Sequence, residues 1–429
     1  MASEMEASAH TQFPSGRALR RPFTLAVSCF MIWGLASGLL DVLNKHFQET
    51  LHIGKAQSSW LQIAYFGAYL LMSVPAGMLL QARGYKTGLV SGLIITAFGA
   101  LLFVPAAGAA SFPFFVGSMF VLATGLCFLE TSADTYVNAL GPPNQAPQRL
   151  NLAQSFNALG VFFGPLIGGA LFFSPQVAER LGGEQKAVQL TYSAVAFLVL
   201  LFAFVLRRAH LPEIRDADDV GDTTTSAVVL RPLIRQRHFV LGVLTQGLYI
   251  GAQVGVGTFF LNLVTETWTG MTSQQGAFLL SLATIGYLVG RFASTAMLLK
   301  VRPQALLVVY GLINGALCLV VSAGIEKVSA LALVAVFFFM SAMFATIFTL
   351  GVRDLGPQTK RAASIMVMAI GGGVLLPYPM GVIADSYGTP AAFLLPAAIF
   401  TLVALYGWIG SRATPADDTE VPKRFPPAA

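Results

Sequence analysis

Glu130 is an acid set where water is scarce. The run from Phe114 to Glu130 (FFVGSMFVLATGLCFLE) carries no other charge. An ionised carboxylate at bilayer depth is expensive, so chains keep one there chiefly to bind or relay something. Asp41, inside the apolar stretch WGLASGLLDVLNKHF, is a second outlier of the same kind. A neutral carboxyl donates one hydrogen bond, whereas an ionised one only accepts. A ligand hydroxyl therefore meets a different partner in each state, which links proton binding to ligand binding. Two such acids point to proton-coupled transport. Asp134 follows Glu130 by four residues and shares its helix face. It either joins the proton site or accepts hydrogen bonds near the cytoplasmic helix end.

Other polar and aromatic residues in apolar stretches fill out the candidate site. Gln154, Asn157, Gln253 and Asn262 offer amides to hydroxyl groups, and buried amides need partners. Trp33, Tyr65 and Tyr249 can stack on the face of a pyranose, though most membrane aromatics simply face lipid or a neighbouring helix. Arg291 needs a counter-ion or carbonyls. Glu266 and Asp385 fall near outer helix ends and read as solvated.

The elements that must position these residues are membrane helices. The chain is 55% hydrophobic and only 11% charged, against about 25% charged for soluble domains. A span needs about 20 apolar residues. Twelve segments qualify, near 23–46, 57–80, 88–107, 112–139, 151–173, 189–206, 239–263, 274–300, 304–323, 330–351, 362–384 and 391–411. Cys29, Cys127 and Cys318 lie far apart within spans, where they read as small packing residues and not as a disulfide or metal framework.

Charge gives the orientation. With the N-terminus inside, 20 of the 26 lysines and arginines fall in cytoplasmic loops or tails, 5 fall outside, and Arg291 lies in a span. That bias predicts an even number of spans with both termini cytoplasmic. The net charge of +6 thus reflects topology and gives no reason to expect nucleic acid as a partner. The expected organisation is a cytoplasmic tail (1–22), a six-helix half (23–206), a cytoplasmic linker (207–238), a second six-helix half (239–411) and a cytoplasmic tail (412–429).

An internal repeat supports two halves. Leu140-Gly141-Pro142 recurs as Leu355-Gly356-Pro357, and Met78-Leu79-Leu80-Gln81 as Met297-Leu298-Leu299-Lys300, with Gly67 matching Gly286. Facing six-helix repeats with a substrate site between them are the major facilitator design. Small-xxx-small pairs (Gly34/Gly38, Gly88/Gly92, Gly164/Gly168, Gly251/Gly255, Gly286/Gly290, Gly311/Gly315) predict close helix packing within one bundle. A monomer is therefore expected. Gly372-Gly373, Pro377 and Pro379 should bend or weaken the eleventh span.

The stretch from Leu129 to Gly160 (LETSADTYVNALGPPNQAPQRLNLAQSFNALG) resembles the fourth and fifth helices of the L-fucose:proton symporters, the fucose permease family of the major facilitator superfamily. The likeness extends to GLLDVLNKHFQ, YIGAQVGVGTFFLNLVTE and TIFTLGVRDLGPQTKRAASIMVMAIGGG. It implies an all-α membrane protein with the major facilitator fold of twelve transmembrane helices in two six-helix halves. It implies Asp41 and Glu130 as the two essential carboxylates, Gln154 and Asn157 as fifth-helix amides, and Gln253 as a seventh-helix glutamine. Three departures stand out. Ala36–Leu40 replaces the paired asparagines ahead of the first-helix aspartate. Asp134-Thr135 stands where relatives continue Asn-Pro, and Gln81 occupies the acidic position of the loop signature Gly77–Gly84.

No H-E-x-x-H, phosphate loop, G-x-S-x-G elbow or Cys/His ligand cluster occurs, so neither catalysis, a cofactor nor a metal is expected. The expected function is import of L-fucose or a related hexose with protons across the plasma membrane. Proton coupling falls to Asp41 and Glu130. Sugar binding falls to Glu130, Gln154, Asn157, Gln253, Trp33, Asn262 and Tyr249. The alternatives are a glucose, galactose or other monosaccharide carrier on the same fold, or a transporter-like sugar sensor. The short polar segment after the last span weighs against a sensor.

Overall fold

The computed structural model describes residues 16–141, 146–212, 233–355 and 359–411. Residues 1–15 of the expected N-terminal tail, the whole C-terminal tail and most of the linker lie outside the described residues, as do Pro142, Gly356 and Pro357 of the repeated LGP motif; residues 16–22, expected in the tail, already belong to the first helix. Among the described residues, eleven helical stretches are long and apolar enough to cross a bilayer. One of them counts twice. The helix Trp60–Gly108 runs for 49 residues, about 74 Å at 1.5 Å per residue, against a hydrocarbon core of about 30 Å. It is interrupted at Gly84 (φ 78, ψ 172), a left-handed backbone setting that glycine adopts without Cβ strain. The second and third spans join there, which gives twelve crossings.

The first half holds the first span (Gly16–Thr50), the two just described, the fourth (Phe112–Ala139), the fifth (Ala146–Phe172) and the sixth (Glu184–Arg208). The second half begins with the seventh span, Arg237–Thr258 continued by Phe260–Thr267. The eighth (Ser273–Met297) and ninth (Pro303–Ser322) follow. Next come the tenth (Glu326–Met340, then Met343–Gly351), the eleventh (Thr359–Met368 to Pro377–Tyr387) and the twelfth (Thr389–Gly410). Phe197, Leu198, Phe292 and Leu299 are among the large apolar side chains left exposed, as expected of a surface solvated by lipid.

Backbone proximity explains the glycine pairs. A Cβ on Gly34 would collide with the Asn157 carbonyl oxygen, and one on Gly164 would lie 2.5 Å from Gly38 Cα, so the first and fifth spans touch backbone to backbone. Gly92 and Gly99 seat the fourth span in the same way, and Gly251 and Gly311 face the eleventh and twelfth. These pairs serve packing within the bundle. Gly67 and Gly286, matched by the repeat, face open space, with nothing within 4 Å of where a Cβ would stand.

Four spans of the second half are broken, the twelfth only by the single turn residue Phe393 near its start. The seventh leaves helical geometry at Phe259 (φ −98, ψ 7), and the tenth breaks between Met340 and Met343. The eleventh tightens to a 3-10 turn over Ala369–Val374, with Pro377 opening the next helix. The Gly-Gly and proline signal therefore acts at the place expected of it. The breaks in the seventh and tenth spans have no such local signal.

The polar bridges between the halves gather at the end where the first span finishes and the second begins. Asp385 accepts from the backbone N–H groups of Lys55 and Ala56, each at 2.9 Å. Lys55 Nζ pairs with Glu266 Oε1 at 2.8 Å, and the Ser59 hydroxyl donates to the Pro377 carbonyl at 3.0 Å. Deeper in, Asn44 donates to the Thr258 carbonyl and Asn262 to Gln48 Oε1. Glu266 and Asp385, which read from sequence as merely solvated, are members of this clasp. Proximity between spans far apart in the chain decides that, and local composition does not report it.

Candidate functional site

The first two spans present their polar residues in register. Trp33, Ser37, Asp41, Asn44 and Gln48 recur at spacings of three or four, as do Gln62, Tyr65 and Tyr69. Residues so spaced share one helix face. Two polar stripes thus run side by side from the middle of the molecule to its closed end.

At mid-depth the stripes meet the acids of the fourth span. Glu130 has Tyr69 and Tyr65 of the second span beside it, and Asp134 one turn along its own helix. The two tyrosine rings stack with centroids 5.3 Å apart. The Ser37 hydroxyl donates to the Trp33 carbonyl at 3.0 Å, and its oxygen lies 2.8 Å from Tyr65 Oη. Trp33 lies against Tyr65, and Gln154 of the fifth span lies beside Asp134. Within this group Trp33 Nε1, Tyr69 Oη, Glu130 Oε2 and Asp134 Oδ1 are buried without a hydrogen-bond partner. Each such atom costs about 1–3 kcal/mol, so four together call for a polar ligand. Aromatic faces beside unpaired donors and acceptors suit a compact polyhydroxylated molecule.

Glu130, Trp33 and Gln154 are therefore brought together, with Asp134 among them. Ser37 and Tyr69 join them without having been expected, although the i, i+4 spacing of Tyr65 and Tyr69 is a legible signal. Gln253 lies in the opposite half, where its amide donates to Tyr287 Oη at 3.4 Å. The Arg291 guanidinium sits 6.0 Å from the Tyr287 ring centroid, a cation–π distance.

Three expected site residues are occupied elsewhere. Tyr249 is fully buried, and its hydroxyl donates to the Met340 carbonyl at 2.8 Å. It caps a carbonyl freed by the break in the tenth span. Asn157 donates to the Phe30 carbonyl at 3.4 Å, tying the fifth span to the first. Asn262 belongs to the closed end through Gln48. Asp41 stands apart from the Glu130 group, two turns further along the first span from Trp33, beside Gln62 and Thr258. A cavity of about 560 Å³ near Trp268, Gln275 and Phe278 contains none of these residues.

Residues 23–376 match the family model of the Major Facilitator Superfamily. The L-fucose-proton symporter of Escherichia coli (strain K12) is 34% identical over 404 residues, covering 90% of this chain and 92% of the relative. The chain belongs to the fucose permease family of the Major Facilitator Superfamily. A protein named glucose/galactose transporter from Brucella abortus biovar 1 (strain 9-941) is 33% identical over 408 residues, covering 94% of this chain and 97% of the relative. Among solved structures, the Escherichia coli fucose:proton symporter FucP, also solved in its outward conformation, matches with a TM-score of 0.66 at 32% identity, over 92% of this chain and 99% of that one. An inward-facing bacterial homologue of the lysosomal transporter Spinster shares the fold at a TM-score of 0.74 and 15% identity, over 93% of this chain and 98% of that one. The transporter is a multi-pass membrane carrier of sugars and not an enzyme.

Proposed function

We propose that the transporter imports L-fucose or a closely related hexose together with a proton, as a monomer in the plasma membrane. The observation that carries this reading is Glu130, whose Oε2 is buried and unpartnered among Trp33, Tyr65 and Tyr69. Protonated, Glu130 donates to a sugar hydroxyl; ionised, it can only accept. Sugar and proton thereby favour each other's binding. Trp33 and Tyr69 add a stacking face and two further hydrogen-bonding groups. Asp41 holds the proton when the sugar is absent.

The positive-inside bias supports an orientation with the Lys55–Asp385 clasp at the outer surface and both termini in the cytoplasm. The halves 23–206 and 239–411 then rock about the site, with 207–238 as the cytoplasmic linker. The membrane potential supplies about 2.3 kcal/mol per charge per 100 mV, and at about 1.4 kcal/mol per tenfold one proton supports roughly 50-fold accumulation.

Counterflow of radiolabelled L-fucose, D-galactose and D-glucose in proteoliposomes tests the substrate. L-fucose or a near relative should exchange best. Exchange confined to glucose and galactose would replace this reading with the one suggested by the Brucella relative. Sugar added to de-energised cells should alkalinise the medium. Uptake undiminished by a protonophore, without alkalinisation, would leave facilitated diffusion as the mechanism.

A further inference from the structure

Polar side chains from three spans crowd around Asp41. Asp41 lies so close to Gly257 of the seventh span that a Cβ there would stand 2.8 Å from Asp41 Oδ2. Thr258 follows, and the helix breaks at Phe259. Thr258 is fully buried with its Oγ1 unpartnered. Gln62, also fully buried, lies within interaction range of Asp41, yet neither of its side-chain polar atoms makes a hydrogen bond of good geometry. Asn44, one turn along from Asp41, donates to the Thr258 carbonyl at 3.4 Å and leaves its buried Oδ1 without a partner. None of the ion pairs found among the described residues reaches Asp41. Buried polar groups are normally paired, and a half-satisfied network is costly in a low-dielectric interior. Three fully buried side chains from three spans bear that cost around one carboxylate.

We propose that Asp41, Asn44, Gln62 and Thr258 form a sodium site at the break in the seventh span. Carboxylate, amide and hydroxyl oxygens are the donors that hard cations take. Broken membrane helices supply ion ligands in secondary transporters. Charge selects a monovalent ion, because the site holds one acid and a divalent ion would leave buried positive charge uncompensated. No group of three or more His, Cys, Asp or Glu suited to other metals occurs among the described residues. Gly257 keeps a side chain out of the space beside Oδ2. The ligands come from the first and second spans on one side and the seventh on the other, so a bound ion holds the halves together at the closed end. Sodium and a proton neutralise the same carboxylate. The transport consequence therefore rests on Asp41 being a coupling group, whereas binding is measurable without sugar.

Thermal unfolding of the purified full-length protein, sugar-free and at fixed pH and ionic strength, is compared in sodium, potassium and choline chloride. Sodium alone should raise Tm by about 2 °C or more, and radiolabelled sodium should bind a single saturable class of sites. Asp41→Asn and Thr258→Val should lose both responses. Size-exclusion profiles and Tm in choline chloride establish that the variants fold, and Gln62→Leu probes the site from a third helix. Identical unfolding in the three salts without saturable sodium binding would overturn the proposal. So would a sodium response that survives in Asp41→Asn and Thr258→Val, which would place the ion elsewhere. Proton-driven sugar uptake with no sodium effect defeats this inference and leaves the proposed function standing. Sodium binding without sugar transport does the reverse.

Discussion

Glu130→Gln keeps the size and hydrogen-bonding reach of the side chain but cannot ionise. Concentrative uptake by that variant should vanish, while sugar exchange survives because no proton has to leave before the carrier resets. Asp41→Asn should also lose concentrative uptake and retain sugar binding, since Asp41 lies outside the Glu130 group. Uptake against a gradient and counterflow, measured side by side, separate these outcomes; wild-type accumulation by either variant removes that residue from the coupling scheme. Two tyrosines make a complementary pair. Tyr69 Oη has no protein partner, so Tyr69→Phe should weaken sugar binding about 10-fold, or 1.4 kcal/mol, with Tm unchanged. The Tyr249 hydroxyl serves Met340, so Tyr249→Phe should cost about 1–3 kcal/mol of stability and leave sugar affinity alone. Titration of binding and a thermal melt on both variants decide the matter, and reversed effects would exchange their roles.

Helix contacts in this transporter depend on backbones that touch. Lipid offers no hydrophobic drive for helices to associate, so close van der Waals approach has to supply it. At Gly34 the Asn157 carbonyl oxygen occupies the place of a Cβ. Gly34→Ala must push the first and fifth spans apart and, with them, Trp33 from Gln154. Gly286→Ala meets open space and gains helix propensity of about 1 kcal/mol. Fluorescence-detected gel filtration after heating should show early loss of the Gly34 variant and wild-type or better survival of the Gly286 variant. Equal behaviour of the two would mean that the first and fifth spans tolerate separation.

The molecule as a whole is held shut at one end by a few polar links. The most defined of these is the Asp385 carboxylate on two backbone N–H groups of the opposite half. Such a contact exists only while that end is closed, so it biases the equilibrium between the two openings. Asp385→Ala should shift the population towards opening there. Ser59, buried in the wild type beneath Pro377, reports it once replaced by cysteine. An impermeant thiol reagent should label Ser59→Cys faster when Asp385→Ala is present, and from outside the cell. Unchanged labelling would reduce the clasp to a passive contact, and labelling from the cytoplasm alone would invert the orientation.

The class of molecule was legible in the chain before any fold was known, and so were the two acids on which the proposed coupling rests. Twelve apolar runs, an excess of lysines and arginines in alternate loops, glycine pairs and the Gly-Gly and proline signal of the eleventh span are all local or additive features. Bilayer thickness and desolvation act on them without reference to partners. Glu130 and Asp41 stand out for the same reason, as acids set in strongly apolar runs, the Glu130 run holding no other charge and the Asp41 run only Lys45 near its end. Which polar residues serve which purpose emerges only from the way the spans pack. Tyr249, Asn157 and Asn262 look like Trp33 and Gln154 in the chain, yet the first three satisfy backbone or opposite-half partners while the other two stand with Glu130. A buried donor is spent or free according to what packs against it from spans hundreds of residues away. The break at Phe259 and the unpaired oxygens of Asn44, Gln62 and Thr258 arise in the same way, from three helices whose meeting no local pattern records.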